Sequence, residues 1–479
     1  MRFDKPTFIF DREPEWAELS SFISAHSRLG VVWGPRRAGK SVLLSAAAEE
    51  AGGLYYEAVR QDPALSLADI GRTVGKRLGA GPVMYRDWDE ALSSLLTLPN
   101  CPVVVIDEFG YLCEASPELP SVVQRVIDTS RRAGGITGQR APSRLIICGS
   151  AVARLSHLLD RDQPLFGRAQ LAQVIDAFDF RAAARFWGVA DLPALAVQLH
   201  AVVGGLPGYR DVVVDAPRSI GTFSKWIIER VIAPSSPLLE EDALVLQASG
   251  LEANIYRSIL TAVARGDQTP SGVASRIGRP ASALARPFDK LTEAGLLDRI
   301  ADPLRSRRSR YELADAFLVF HDAIIRPNRT RLRRRAQAEV WAEAEPTWHA
   351  GIVGPHFERI CRQATFHYPR EFGFGGVAAV GSTVVADPVA RRNHELDVVA
   401  TRSDGQIVAI GEAKHTAASR GIQEVERLAA IRALLPNPDD RDCVLAVFSA
   451  NGFTPELVKT ASERQDVELI DLNRLYGRA

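Results

Sequence analysis

Short apolar runs and helical-period segments alternate along the first 230 or so residues. LGVVW at 29–33, CPVVVID at 101–107 and SRLIICG at 143–149 are almost uninterrupted and rich in branched aliphatics, the pattern of strands buried on both faces of a parallel sheet. SVLLSAAAEEA at 41–51 has a helical pattern that stops at Gly52-Gly53. This alternation predicts an α/β domain over residues 1–235. The period changes over 252–300. Apolar residues recur at helical spacing at Ile255, Ile259, Leu260 and Val263, then Val273, Ala274 and Ile277, then Leu284, Phe288 and Leu291. Gly266 and Gly278 end helices, and TPSG and RPAS begin the next ones. Gly295 leads into LLDRI, and SRYELAD supplies a second short strand. Three helices and a strand pair are therefore expected within residues 236–335. A third pattern fills 336–479: GIVGPHFERICRQATF reads as a helix, ELDVVA alternates, Asp404-Gly405 makes a hairpin turn, and IVAIGEAK is a mostly apolar strand.

A chain of 479 residues exceeds what one core supports, about 250–300 residues, which agrees with three parts. Hydrophobic content of 46% and charged content of 24% are those of an ordinary globular protein, and the formal net charge is zero. Nucleic-acid binding thus depends on local clusters. The five cysteines, Cys101, Cys113, Cys148, Cys361 and Cys443, form no CxxC pair, which argues against structural zinc or a disulfide framework. The N-terminal segment has no apolar signal region, and no run of about 18 uncharged apolar residues predicts a membrane span. A cytoplasmic protein is the expectation.

Candidate chemistry begins at Gly34-Pro35-Arg36-Arg37-Ala38-Gly39-Lys40-Ser41, which fits G-x-x-x-x-G-K-[ST] between a strand and a helix. Such a loop turns backbone N–H groups toward phosphates at a helix N-terminus. Lys40 would reach the β/γ-phosphates of ATP, and Ser41 would ligate Mg²⁺. The 101–112 strand ends in Asp107-Glu108, at the sheet edge where ligands bind. Asp107 would hold Mg²⁺ through water, and Glu108 would polarise the attacking water. Ser150 ends the next strand, where a γ-phosphate sensor would lie; a plain strand-terminal serine fits as well. Arg168 in PLFGRAQ can serve as an arginine finger, in cis or from a neighbouring copy, or be a solvated surface residue.

Together, FDREPEWAEL, GPRRAGKS, VVVIDEFGYL, IICGSAVARL, LFGRA and VVGGLPGYR resemble the archaeal and bacterial P-loop ATPases related to the AAA+ and STAND groups over about residues 1–230. The resemblance implies that Arg12-Glu13 opens the adenine pocket and that Gly204-Gly205-Leu206-Pro207 begins a lid. Ser150 departs from the Asn or Thr common at that sensor position in AAA+ proteins.

The 252–300 pattern looks like a winged helix-turn-helix, whose recognition helix would present Ser282, Arg286 and Lys290 to DNA. RSRRSR at 305–310, with Arg307 and Arg308, and RPNRTRLRRR at 326–335, with Arg333 and Arg334, add a basic linker suited to phosphates. Packing on the nucleotide domain is the alternative role for such a module.

In the last part, Glu412 and Lys414 project to one face of a strand, and the hairpin can bring Asp397 beside them. Two carboxylates and a lysine are costly to bury together without a purpose, and oxygen ligands suit Mg²⁺. The order resembles the PD-(D/E)xK nuclease superfamily, with Leu396-Asp397 in place of the leading Pro-Asp pair. That resemblance implies a restriction-endonuclease-like domain with Asp397 and Glu412 as metal ligands, Lys414 as catalytic lysine, Glu358 completing the site from the preceding helix, and Gln423 as a weaker candidate.

The expectation is an ATPase that acts on DNA and controls Mg²⁺-dependent phosphodiester cleavage. A nucleotide-driven switch with a non-catalytic C-terminal fold is the rival, with DNA, further copies of the chain or another protein as partner.

Overall fold

A computed structural model describes residues 3–25, 27–134, 143–150, 152–251, 253–435 and 443–478. Five parallel strands, β1 (Leu29–Trp33), β2 (Leu54–Glu57), β3 (Val103–Asp107), β4 (Arg144–Gly149) and β5 (Leu171–Val174), form a sheet of order β2-β3-β4-β1-β5. Alternate residues face opposite sides. Val31, Val104, Ile106, Leu145 and Ile147 enter one apolar cluster, while Val32, Val103, Val105, Ile146 and Cys148 enter another. Both faces are therefore dry, which explains the unbroken apolar runs. The helix Lys40–Glu50 leaves the end of β1, with Gly39 as its left-handed N-cap at φ 90°.

Helices Asn254–Ala264, Pro270–Ile277 and Ala285–Glu293 follow, then an antiparallel hairpin of β6 (Leu297–Asp302) and β7 (Arg305–Leu313). They enclose their own cluster around Ile259, Val273, Leu284, Phe288 and Leu291. The hairpin takes in the whole of RSRRSR, which the sequence suggested as a linker. It docks on the third part: Thr383 donates to Asp302 at 2.9 Å, Arg359 pairs with Asp298 at 2.7 Å, and Arg362 with Glu312 at 2.7 Å.

The third part is a second five-stranded sheet of β8 (Ala379–Asp387), β9 (Arg392–Thr401), β10 (Ile407–Lys414), β11 (Val444–Ser449) and β12 (Val467–Asp471), in the order β12-β11-β10-β9-β8. The β8-β9-β10 meander is antiparallel, and β11 and β12 run parallel to β10. Helix Gly354–His367 covers the meander, and helix Ile422–Arg432 packs on β10 and β11. One apolar cluster runs from the first domain through Phe320, Trp341 and Trp348 to Phe357, Phe372 and Phe448. Arg181 of the first domain seals that junction. Its guanidinium donates to Glu371 at 3.0 and 2.8 Å and to the Leu475 carbonyl at 2.9 Å.

Candidate functional site

The loop Gly34–Ser41 sits between β1 and its helix with no room to spare. A Cβ on Gly34 would fall 2.1 Å from the Ile175 carbonyl oxygen, so only glycine fits. Lys40 is buried and donates to the carbonyls of Gly34 at 3.0 Å and Pro35 at 2.8 Å. Burial pushes its ammonium pKa down, and Cys148, Glu108 and Asp107 pull it back. Arg12 braces the loop from behind: it donates to Ala38 O at 3.2 Å and Asp176 O at 2.6 Å, and stacks 4.5 Å over Phe178.

Asp107 and Glu108 end β3 beside the loop. Asp107 Oδ2 accepts from Tyr55 on β2 at 2.7 Å, and the Tyr55 hydroxyl also meets Ser41. Glu108 has φ 50° and accepts from the Ser150 hydroxyl at 3.2 Å. Burial, and then the Asp107 charge, raise its carboxyl above the usual range. A cavity of about 440 Å³ lies over these groups, lined by the loop from Arg36 to Ser41, Arg12, Glu108 and Ser150. Phe10, Phe178 and Phe186 close one end, with ring centroids 5.5–5.7 Å apart. Tyr55 and these aromatics carried no sequence signal, because they converge from separate elements. Arg168 is outside this cavity and pairs with Asp128 at 2.9 Å.

Arg37 lines the cavity, but its guanidinium is held by elements further along the chain. It makes a two-pronged pair with the fully buried Glu241 at 2.7 and 2.9 Å, donates to Gly208 O at 3.1 Å, and lies 4.9 Å from the Tyr209 ring. Tyr209 in turn donates to Asp315 at 2.5 Å. Burial lifts Asp315 to about 6. A phosphate-loop arginine is thereby wired to the start of the middle part and to the helix that follows it.

The second site is a cavity of about 840 Å³ between helix Gly354–His367, β7 and the meander; Glu358, Asp397, Glu412 and Lys414 all line it. Lys414 lies 2.6 Å from Glu412 and 3.3 Å from Asp397, whose Oδ2 also accepts from Ala413 N at 2.9 Å. Burial and the neighbouring Glu412 charge raise Asp397. Burial lowers the Lys414 ammonium, but the two carboxylates more than offset this and hold it above its ordinary value. Glu358 is driven to about 7 by burial and by Asp397. Among the described residues no group of three or more His, Cys, Asp or Glu side chains is arranged to hold a metal. Two carboxylates are nevertheless in place, and Glu412 Oε2 is buried without a hydrogen bond, although Arg427 approaches it at 2.5 Å as an ion pair. That oxygen thus already meets a cationic side chain, and a metal held by Asp397 and Glu412 would take the place of Arg427 there. Arg427, one turn beyond Gln423, is the residue of its helix that lines the cavity. Gln423 lies one turn earlier on the same helix and does not line the cavity.

Arg286 and Lys290 are exposed on the third helix of the middle part, and Ser282 is exposed in the short turn Ala281–Ala283 before it. Arg308 is also exposed, and the side chain of Arg307 lies outside the described residues. The 326–335 segment is largely neutralised: Arg326 pairs with Asp322 at 2.8 Å, Arg329 with Asp242 at 2.9 Å, Arg331 with Glu343 at 2.7 Å, and Arg333 with Glu240. Arg334 is exposed. Among the described residues no disulfide links the cysteines, and no helix is long and apolar enough to cross a membrane.

No protein-family model matches the chain. An uncharacterized protein of Methanocaldococcus jannaschii is 25% identical over 358 residues, covering 74% of this chain and 76% of that one. A Walker-type ATPase of Pyrococcus abyssi superposes with a TM-score of 0.48 at 18% identity, covering 67% of this chain and 99% of that one. The ORC2 protein of Aeropyrum pernix, in its ADPNP-ADP complexes, superposes with a TM-score of 0.42 at 15% identity, covering 70% and 95%. The parallel sheet β2-β3-β4-β1-β5, the G-x-x-x-x-G-K-S loop after β1 and the acidic end of β3 give the N-terminal part a P-loop fold, on geometry alone.

Proposed function

We propose that the chain is a P-loop ATPase that acts on DNA, with nucleotide turnover governing the C-terminal site. The convergence of Lys40, Ser41 and Glu108 on one cavity, with Asp107 behind them bonded to Tyr55, carries this reading. Lys40 would neutralise the β/γ-phosphates, and Ser41 with Asp107 would hold Mg²⁺, which supplies charge neutralisation there. Glu108, raised by burial, orients and deprotonates the attacking water; Ser150 holds its carboxylate in the ground state. In the C-terminal cavity, Asp397 and Glu412 would hold Mg²⁺, and Lys414 would stabilise negative charge on a phosphodiester. Glu358, with a pKa of about 7, can exchange a proton with water near neutral pH.

One observation favours the rival reading, a switch with an inert C-terminal fold: Lys414 and Arg427 already neutralise the carboxylates. Incubation of the full chain with Mg²⁺ and DNA, with and without ATP, separates the two. Cleavage is expected from the wild type, with a loss of about 100-fold in Lys414→Ala and loss of ATP dependence in Lys40→Ala. Equal nicking by wild type and Lys414→Ala, or none by either, leaves the switch.

A further inference from the structure

A second basic surface lies apart from the exposed face of the third middle helix. Arg257 and Arg265 stand eight residues apart on helix Asn254–Ala264 and its C-cap, on one face and about 12 Å apart along the axis. Arg276, from the next helix, and Arg326 complete a groove of about 390 Å³ that Arg257, Arg265, Arg276 and Arg326 line and no carboxylate lines. Two nearby carboxylates serve three of the four: Asp322 lies 3.7 Å from Arg265 and 2.8 Å from Arg326, and Asp267 pairs with Arg276. Arg257 is exposed and has no carboxylate partner among the described residues. The groove therefore carries surplus positive charge over polar Ser258 and Thr261.

Position gives this charge a purpose. Arg265 lines both the groove and the 840 Å³ cavity that contains Glu358, Asp397, Glu412 and Lys414. Inside the cavity Arg310, Arg359 and Arg362 continue the line of arginines, each held by a carboxylate, Glu395, Asp298 and Glu312 in turn, so the surplus charge sits in the groove. We propose that the Arg257–Arg265–Arg276–Arg326 groove binds the sugar-phosphate backbone of an unpaired nucleic-acid strand and leads it into the cavity at Lys414. A cavity of about 840 Å³ favours one strand over the bulkier paired duplex. The role of the substrate end at Lys414 rests on the cleavage reading above, whereas the groove as a binding surface does not.

Binding is measured on the full chain in EDTA, so that no strand is cut, by fluorescence anisotropy of a labelled DNA oligonucleotide as a single strand and as a duplex, over a series of KCl concentrations. The wild type is expected to bind the single strand more tightly than the duplex. Arg257→Ala with Arg276→Ala is expected to weaken single-strand binding about ten-fold and to lower the salt slope by about 1.4, or 0.7 per lost phosphate contact. Arg257→Lys, which keeps the charge, restores most of the affinity. Arg286→Ala with Lys290→Ala changes it less than two-fold. Unchanged binding by the groove variant, a larger loss in the Arg286/Lys290 variant, duplex preference, or no binding at low salt each overturns the proposal. Binding through the groove without cleavage in Mg²⁺ leaves the groove standing and removes the cleavage reading alone. Because Arg257 is exposed, its single Arg257→Glu variant folds without a buried charge to rescue, and it reports the same loss if the double variant misfolds.

Discussion

At the residue scale, two half-buried carboxyls carry opposite demands. Glu108 must accept a proton, and its raised pKa brings it toward neutrality. Glu108→Gln is expected to bind ATP normally and to lose turnover by about 100-fold or more, read by phosphate release beside an ATP-binding titration. Glu358 faces Asp397, Arg362, Lys414 and Glu395. Its native pKa of about 7 exceeds its ordinary 4.5, so the folded state holds the proton more tightly than the unfolded chain. Its stabilising contribution is complete below about pH 4.5 and is lost as pH rises to about 7. The melting temperature of Glu358→Gln is expected to match wild type at pH 5 and to exceed it at pH 8, by roughly 2 kcal/mol of stability. An equal difference at both pH values would show that Glu358 does not titrate in this range. Lys40, Asp107, Glu412 and Lys414 were legible as residues because their types recur at motif spacing. Tyr55, Glu241 and Arg427 were not, since each matters through a contact made across the fold.

At the element scale, the hairpin β6–β7 and the phosphate loop are the informative pieces. The loop passes its state outward through Arg37. Breaking the buried Arg37–Glu241 pair from one side leaves a charge stranded, at a cost of about 3–5 kcal/mol for Glu241→Ala. Glu241→Gln keeps the shape and loosens the grip, so Arg37 is freed toward nucleotide phosphates. ATP binding by Glu241→Gln is expected to tighten several-fold, measured by calorimetry; weaker or unchanged binding would mean that Arg37 does not reach the nucleotide. The strand pair and the three helices before it were visible in the sequence as periodicity. That β7 begins at Arg305, that β6 lies against β8, and that Asp298 and Glu312 of the hairpin take Arg359 and Arg362 of helix Gly354–His367, was not, because a basic run reads as solvated until a partner such as Glu395, opposite Arg310, is placed by the fold.

At the scale of the whole molecule, the three parts are not independent beads. Arg181 is clamped to Glu371 and Leu475, Phe180 packs edge-on against Tyr476 at 5.1 Å, and the apolar cluster passes from the first domain to the third. A fragment of residues 1–335 would expose the first domain's half of that cluster. It is expected to be aggregation-prone, while the full chain unfolds in one calorimetric transition that ATP shifts upward as a unit. A soluble fragment with its own sharp transition would show the junction to be dispensable.

The sequence by itself determined the locally encoded features: a parallel sheet from unbroken apolar runs, a phosphate cradle from glycine and lysine spacing, three helices and a hairpin from period, and a carboxylate–lysine pair from the two-residue repeat of a strand. Local sterics and side-chain direction are enough for these. Only the tertiary structure decided how charges separated by tens to hundreds of residues were paired. It spent most of the 326–335 arginines on Asp242, Asp322, Glu240 and Glu343, bound Arg168 to Asp128, closed Arg37 onto Glu241, and left Arg257 open. An ion pair depends on distance and burial, and neither exists until the chain has folded.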